Sequence, residues 1–227
     1  MRIYVSGDDG RMGTILTGII KERQDLHLVS REESPDVVID FSHPSVIKEL
    51  TDYCRDNKIP LVIATTGYSK EEEAIIESAG REIPIFKSAN MSVGVALVSY
   101  LAKEIAAKFK ESDVEIIETH HNRKLDAPSG TALMLADAVS EARPESVIKT
   151  GRSGHAPREK NEIGIQSVRV GNVVGTHEII FGTDSQSIKL IHEAHDRALF
   201  AEGALEAARF VIGKAPGMYD MKDLIQA

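Results

Sequence analysis

Two adjacent histidines, a lysine and a run of small residues lie close together in residues 118–139, ETHHNRKLDAPSGTALMLADAV. Histidine gives or takes a proton near neutrality because its ordinary pKa is about 6.5. If the preceding VEIIET is a strand, side-chain alternation puts Glu118 and His120 on one face and His121 on the other, so the two histidines have separate tasks. In DAPSGTALML, Pro128, Ser129, Gly130 and Thr131 stand just before an apolar-patterned helix. Ser129 or Thr131 can cap that helix, and the amides at its entrance can hold an anion, with Lys124 adding a positive charge nearby. Surface histidines and a plain helix cap would explain each feature singly. Their combination points to proton transfer beside a carboxylate-binding site.

A second chemical signal stands at the start of the chain. RIYVSG reads as a short strand, and RMGTILTGIIKER as a helix with Met12, Ile15, Leu16, Ile19 and Ile20 at helical spacing. Between them GDDGRMG carries Gly7, Gly10 and Gly13, a spacing that permits a tight turn and lets backbone approach a pyrophosphate at the helix N-terminus. Arg11, within this loop, can contact phosphate or stack on adenine. The acid that would hydrogen-bond a ribose in such folds is expected at the end of the second strand. Here that region reads LHLVSREESPDVV: Ser30 and Arg31 suit a ribose phosphate, while Glu32 or Glu33 suits a free ribose. The segment is too short for a full helix between the second and third strands. A nicotinamide dinucleotide supplies hydride but not the proton that the reduced atom pair also needs. His120 or Lys124 can supply that proton, so the residues point to a reductase acting on a small anionic substrate.

The elements that must position these groups follow from patterning. Apolar runs at LHLV, DVVIDF, LVIATT and IPIFKSA alternate with helical segments SVIKELTDYCRDN and KEEEAIIESAG, the latter closed by Gly80, which predicts a parallel sheet with crossover helices. At NMSVGVALVSYLAKEIAAKF the pattern changes to a long helix, and Asn90 marks the boundary of a second unit. There VEIIETHH is a strand, GTALMLADAVSEA a helix, TGRSGHAPREKNEIG a loop, and residues 165–194 three strands between glycine-bearing turns. ALFAEGALEAARFVIG is a final helix stopped by Gly213. The expected fold class is α/β: a Rossmann-like parallel-sheet domain up to residue 90, onto which the final helix can pack back, and a central α+β domain with a mostly antiparallel or mixed sheet.

Composition bounds the partners. The 227 residues are 42% hydrophobic and 27% charged, ordinary for a globular protein, and the net charge of -8 argues against nucleic acid as the main partner. No run reaches the ~20 apolar residues of a membrane span. Cys54 is the sole cysteine, which excludes an intrachain disulfide and fits a reducing cytoplasm. His177, His192 and His195 could suggest a metal, but His192 and His195 would face opposite sides of a strand and no cysteine or carboxylate completes a plausible set, so no metal is expected.

GRMG at 10–13, DVVIDFSHP at 36–44, ATTGY at 64–68, SANMSVGV at 88–95, EIIETHHNRKLDAPSGTA at 115–132 and GMYDMKDLI at 217–225 resemble, in that order, the motifs of the 4-hydroxy-tetrahydrodipicolinate reductase (dihydrodipicolinate reductase) family. The resemblance spans essentially the whole chain. It implies NADPH- or NADH-dependent reduction of a dicarboxylate ring substrate to tetrahydrodipicolinate in lysine and diaminopimelate biosynthesis, by a cytoplasmic homotetramer. It further implies that residues 198–227 complete the 1–90 domain around a central domain over 91–197, that His120 and Lys124 handle the proton, and that His121, Gly130 and Thr131 hold substrate carboxylate; Ser129, at the same helix entrance, is counted with them. Gly7, Asp8, Asp9, Gly10, Arg11, Met12, Ala64, Thr65, Thr66, Ser88, Ala89, Asn90 and Met91 would contact the dinucleotide. Ala64 stands where the family commonly has glycine. The rival reading is a noncatalytic dinucleotide-sensing Rossmann protein, which would have no need of a proton donor. Hydrolysis by Ser129 ranks last, because no GxSxG elbow surrounds that serine.

Overall fold

The computed structural model describes every residue from Met1 to Ala227 and divides into two compact units, Met1–Val93 with Arg197–Ala227, and Gly94–Asp196. The first unit is a six-stranded sheet, parallel throughout. It comprises β1 (Arg2–Ser6), β2 (His27–Leu28), β3 (Val37–Asp40), β4 (Leu61–Ile63), β5 (Pro84–Lys87) and β11 (Gly217–Tyr219), in the order β11-β5-β4-β3-β1-β2. Each central strand is buried on both faces, which is why VVI of β3 and LVI of β4 are continuously apolar instead of alternating, with the buried Asp40 closing β3. One face packs α2 (Ile47–Asn57) and α3 (Lys70–Gly80) through Ile47, Leu50, Cys54 and Ile76 onto Val38, Leu61, Ile63 and Ile85. Helices α1 (Arg11–Glu22) and α6 (Ala198–Val211) pack together, and α6 lies along β3, β4 and β5. Cys54 is wholly buried and its thiol is pushed up to about 12 by that burial, so it stays protonated.

Register explains how β2 and β3 are joined without a helix. β2 ends opposite Ile3 and β3 begins opposite Ile3, so the chain need only cross over β1, about 10 Å at a strand spacing of ~4.8 Å, with no return along the strand. Residues 29–36 do this with one 3-10 turn, Arg31–Glu33. The turn covers the side chains that a crossover helix would have covered: the Arg31 guanidinium lies 5.2 Å from the Tyr4 ring centre and 5.5 Å from that of Tyr53.

Gly80 closes α3 as expected, yet not through a left-handed turn, since Arg81 follows in helical conformation. Its small size serves packing instead, since a Cβ there would lie 2.6 Å from the Met218 sulfur on β11. Neither β11 nor the short α7 (Met221–Ile225) is legible as an element from patterning.

The second unit contains a mixed five-stranded sheet, ordered β10-β9-β6-β8-β7. These strands are β6 (Asp113–His120), β7 (Val147–Thr150), β8 (Glu162–Arg169), β9 (Gly175–Gly182) and β10 (Ser187–Ala194). β9 pairs antiparallel with β6 and β10, whereas β6, β8 and β7 run parallel. α4 (Val93–Lys108) and α5 (Gly130–Ala142) bury Ala102, Ala106, Leu135 and Val139 against Ile116, Ile165, Ile179 and Phe181 on one sheet face. The expected loop over residues 150–164 is shorter than its polarity suggested, because Thr150 closes β7 and Glu162 opens β8. β7 is exposed at all four positions, so it carries no hydrophobic period to reveal it.

Candidate active site

In the first unit the glycine turn joins β1 to α1 where the strand order reverses, β3 lying on one side of β1 and β2 on the other; such a switch point is where open α/β sheets bind ligands. Gly7 has φ of +80°, and a Cβ on it would meet Phe41 O and Ser42 Cα at 2.8 Å. A Cβ on Gly13 would lie 2.0 Å from Gly7 O, so the helix can approach the turn only at glycine. Gly10 caps α1 without a side chain, and no acid stands in the first turn. The helix entrance therefore presents backbone amides to an anion without a carboxylate competing for them. These features fit a dinucleotide pyrophosphate.

A cleft of about 500 Å³ opens beside the turn, lined by Arg11, Met12, Ala64, Thr65 and Thr66 together with residues 41–44 and Gly67. Asp8 and Asp9 are exposed on the turn itself. Ser88, Ala89, Asn90 and Met91 follow β5 in a turn in which Ser88 Oγ donates to Asn90 O at 2.7 Å and Ser92 N donates to the Asn90 side chain at 2.9 Å. Gly203 on α6 makes room for this turn, since a Cβ there would fall 1.7 Å from Met91 O.

Residues 41–44 were quoted in a motif but given no contact role by sequence reasoning. They follow the buried Asp40, whose carboxylate accepts from the Ser42 amide at 3.2 Å, from the Ser42 hydroxyl and from the Tyr68 hydroxyl at 3.3 Å. Arg31 does not line this cleft. It pairs with Glu49 at 2.5 Å and stacks on Tyr4 and Tyr53.

In the second unit His120 ends β6, buried, with Glu118 beside it on the same face as alternation requires. His120 Nδ1 lies 2.5 Å from Glu118 Oε2. Arg169 at the end of β8, directly opposite His120 in register, donates to both carboxylate oxygens at 2.9 and 2.7 Å. Burial pushes the Glu118 carboxyl up, but hydrogen bonds from Arg169, Ser167 and His120 more than reverse this and hold it at about 2. His177 on β9 faces the same cluster, its ring centre 5.1 Å from that of His120. Burial, with His120 nearby, lowers the His177 pKa to about 4, so its imidazole is neutral at ordinary pH.

His121 lies just beyond the strand, its amide donating to Val173 O at 2.8 Å. Lys124 follows in the loop, half-buried, with its ammonium 2.8 Å from Asp126. Ser129 caps α5, accepting from Ala132 N at 3.2 Å; its hydroxyl also meets His177 Nε2 at 3.0 Å and its amide donates to Glu118 at 3.2 Å. The Ser129 side chain is thereby committed to the cluster beneath the helix entrance. Gly130 and Thr131 form the entrance itself, again with no acid in the first turn.

Comparison with known proteins bears on both units. Residues 30–91 match the model for dihydrodipicolinate reductase, N-terminus, and residues 94–225 that for dihydrodipicolinate reductase, C-terminus. The chain belongs to the dihydrodipicolinate reductase family. Two members called 4-hydroxy-tetrahydrodipicolinate reductase, from Clostridium tetani (strain Massachusetts / E88) and Alkaliphilus oremlandii (strain OhILAs), are 44% and 43% identical to it, over 100% and 99% of this chain and 98% of each relative. Another member, the dipicolinate-bound dihydrodipicolinate reductase from Paenisporosarcina sp. TG-14, superimposes with a TM-score of 0.80 at 25% identity, covering 97% of both chains. Family membership extends over both units, so the cluster at His120 and the glycine turn belong to one kind of enzyme. Glu118, Ser167, Arg169 and His177 are polar residues of the site to which sequence reasoning gave no role.

Proposed function

We propose that this chain is an NADPH- or NADH-dependent oxidoreductase that reduces 4-hydroxy-tetrahydrodipicolinate, by way of dihydrodipicolinate, to tetrahydrodipicolinate in lysine and diaminopimelate biosynthesis. What carries the reading is the convergence, in one unit of a family member, of a buried histidine held by a carboxylate with a helix entrance suited to an anion. The first unit, 1–90 with 198–227, holds the dinucleotide through the turn Gly7, Asp8, Asp9, Gly10, Arg11 and Met12, through Ala64, Thr65 and Thr66, and through Ser88, Ala89, Asn90 and Met91. The dinucleotide supplies hydride when bound. The central unit, 91–197, holds the substrate.

There Gly130 and Thr131 receive a substrate carboxylate at the entrance of α5, with His121 and Lys124 adding hydrogen bonds and positive charge. Ser129 supports that entrance from below. His120 moves the proton that must accompany hydride, and Lys124 orients the substrate and can donate as well. A dicarboxylate needs two such anion contacts, and against a net charge of -8 the helix-entrance amides and the local cation Lys124 supply the attraction.

The working assembly is a cytoplasmic homotetramer. In support, the face of the second sheet opposite α4 and α5 carries Ile191, 55% exposed, and Val168, 41% exposed, on neighbouring rows. The decisive assay generates substrate from pyruvate and aspartate semialdehyde with the preceding synthase and follows NADPH or NADH oxidation. Oxidation dependent on this protein is expected with at least one cofactor. No oxidation with either would replace this reading with the dinucleotide sensor.

A further inference from the structure

Glu118 is fully buried, and all of its acceptor capacity is in use. Oε2 receives His120 Nδ1 at 2.5 Å and Arg169 Nη1 at 2.9 Å; Oε1 receives Arg169 Nη2 at 2.7 Å and the Ser129 amide at 3.2 Å. These four donors, with the Ser167 hydroxyl beside them, leave the carboxylate no place to carry a proton without breaking one of the bonds. The ion pair with Arg169 is bidentate, and Arg169 is further held by Asp126 O at 2.7 Å, so the carboxylate is fixed in position as well as in charge. An ionised carboxylate accepts only, and therefore the His120 nitrogen facing it must be the N–H. The other ring nitrogen, Nε2, faces Gly175 on β9: a Cβ built there would stand 3.0 Å from Nε2 and 3.4 Å from Cδ2. Gly175 has no positive φ, so its backbone does not require glycine; the space beside His120 does.

We propose that Glu118, clamped by Arg169, is a positioning residue that keeps a proton on His120 Nδ1 and makes Nε2 the proton-transferring atom, and that Gly175 keeps this atom reachable. The inference rests on the reading that His120 moves the proton. In the transfer, the Nε2–H bond of the imidazolium breaks, the proton passes to the substrate, and the ring is left as the neutral Nδ1–H tautomer still donating to Glu118. Water restores the Nε2 proton after product leaves. A buried carboxylate that merely supported folding would set neither the tautomer nor the side on which the ring works.

The first test needs no substitution. Nitrogen NMR of histidine-labelled wild-type protein at alkaline pH, with His120 assigned by the signal missing from His120→Gln, should show the Nδ1–H tautomer; the Nε2–H tautomer would overturn the proposal. Glu118→Gln should shift the ring toward Nε2–H and lower kcat by about 10²- to 10⁴-fold, as a wrong tautomer does elsewhere, with dinucleotide affinity within about twofold. Because that variant leaves Arg169 without its partner, Gly175→Ala provides a check with the ion pair intact: the tautomer should be kept and kcat should fall at least about tenfold, as expected for a displaced reacting group. Wild-type kcat in Gly175→Ala would also overturn the proposal. Loss of turnover in His120→Gln alongside an Nε2–H wild type would remove the positioning role and leave the reductase reading standing, whereas normal turnover in His120→Gln would remove that reading itself.

Discussion

Arg31 is the first cation after β2, where a dinucleotide-binding fold would place a partner for a ribose phosphate, yet its surroundings predict that it does not choose the cofactor. β2 leaves the sheet at the level of Ile3, while β1 continues to Ser6, so the segment carrying Arg31 turns away about 10 Å short of the glycine turn at ~3.3 Å per residue. The guanidinium is stacked on Tyr4 and Tyr53 and paired with Glu49. Each stacking contact at a partly exposed site is worth about 0.5–1 kcal/mol and the ion pair at most about 1 kcal/mol. Arg31→Ala should therefore cost about 1–3 kcal/mol of stability, or roughly 2–12 °C in Tm for a chain of this size. A guanidinium that clamped a phosphate would instead supply a charge-assisted contact of about 1.5–3 kcal/mol, so its removal would lower kcat/KM for NADPH by roughly 10- to 150-fold and leave NADH untouched. The assay is kcat/KM for both cofactors in wild type and Arg31→Ala, beside thermal unfolding. The structure predicts a lowered Tm and a cofactor ratio changed by less than about threefold, well below what loss of a charge-assisted contact gives. A selective loss of NADPH activity of tenfold or more would refute the reasoning from register.

Three further outcomes follow from the geometry. His120→Gln and Lys124→Ala should each reduce turnover by about 10²-fold or more while the dinucleotide still binds, as loss of a proton-transferring group does; near-normal turnover in both would remove the assigned roles. Gly203→Ala should destabilise the first unit by at least about 1–3 kcal/mol, the usual cost of overpacking, because its Cβ would collide with Met91 O, and should raise KM for the dinucleotide by displacing residues 88–91; an unchanged Tm and KM would show that α6 does not set that turn. His177 binds its proton less readily folded, at about 4, than at its ordinary 6.5, so stability is full above that ordinary value and falls as pH drops toward 4, by up to about 3 kcal/mol. Glu118, held at about 2, adds a second loss between its ordinary 4.5 and 2. Urea titrations across pH should show the first loss vanish in His177→Asn; its persistence would reassign it.

What the sequence made legible and what it hid divide along a physical line. Alternation along one strand is a local rule, so Glu118 and His120 could be placed together and His121 apart from spacing alone. The glycine turn was legible for a similar reason, since positive φ at Gly7 and close approach at Gly13 are demands of the local backbone. Arg169 and His177 were not, because their meaning depends on pairing between strands remote in sequence; Arg169 and Glu118 are 51 residues apart. Yet a signal was present. On the helix-facing side β6 runs Val114, Ile116, Glu118, His120; β8 runs Ile163, Ile165, Ser167, Arg169; and β9, read in reverse, runs Phe181, Ile179, His177, Gly175. Each strand changes from apolar to polar or small at the same point along its length, and the register aligns Ile116 with Ile165 and Ile179, then Glu118 with Ser167 and His177. Polar residues on the buried face of one strand are an anomaly that any isolated histidine could produce. Three neighbouring strands changing together mean that one end of the sheet's core is built for chemistry, at the energetic cost of desolvating its charges, and the bidentate Arg169 pair is what offsets that cost.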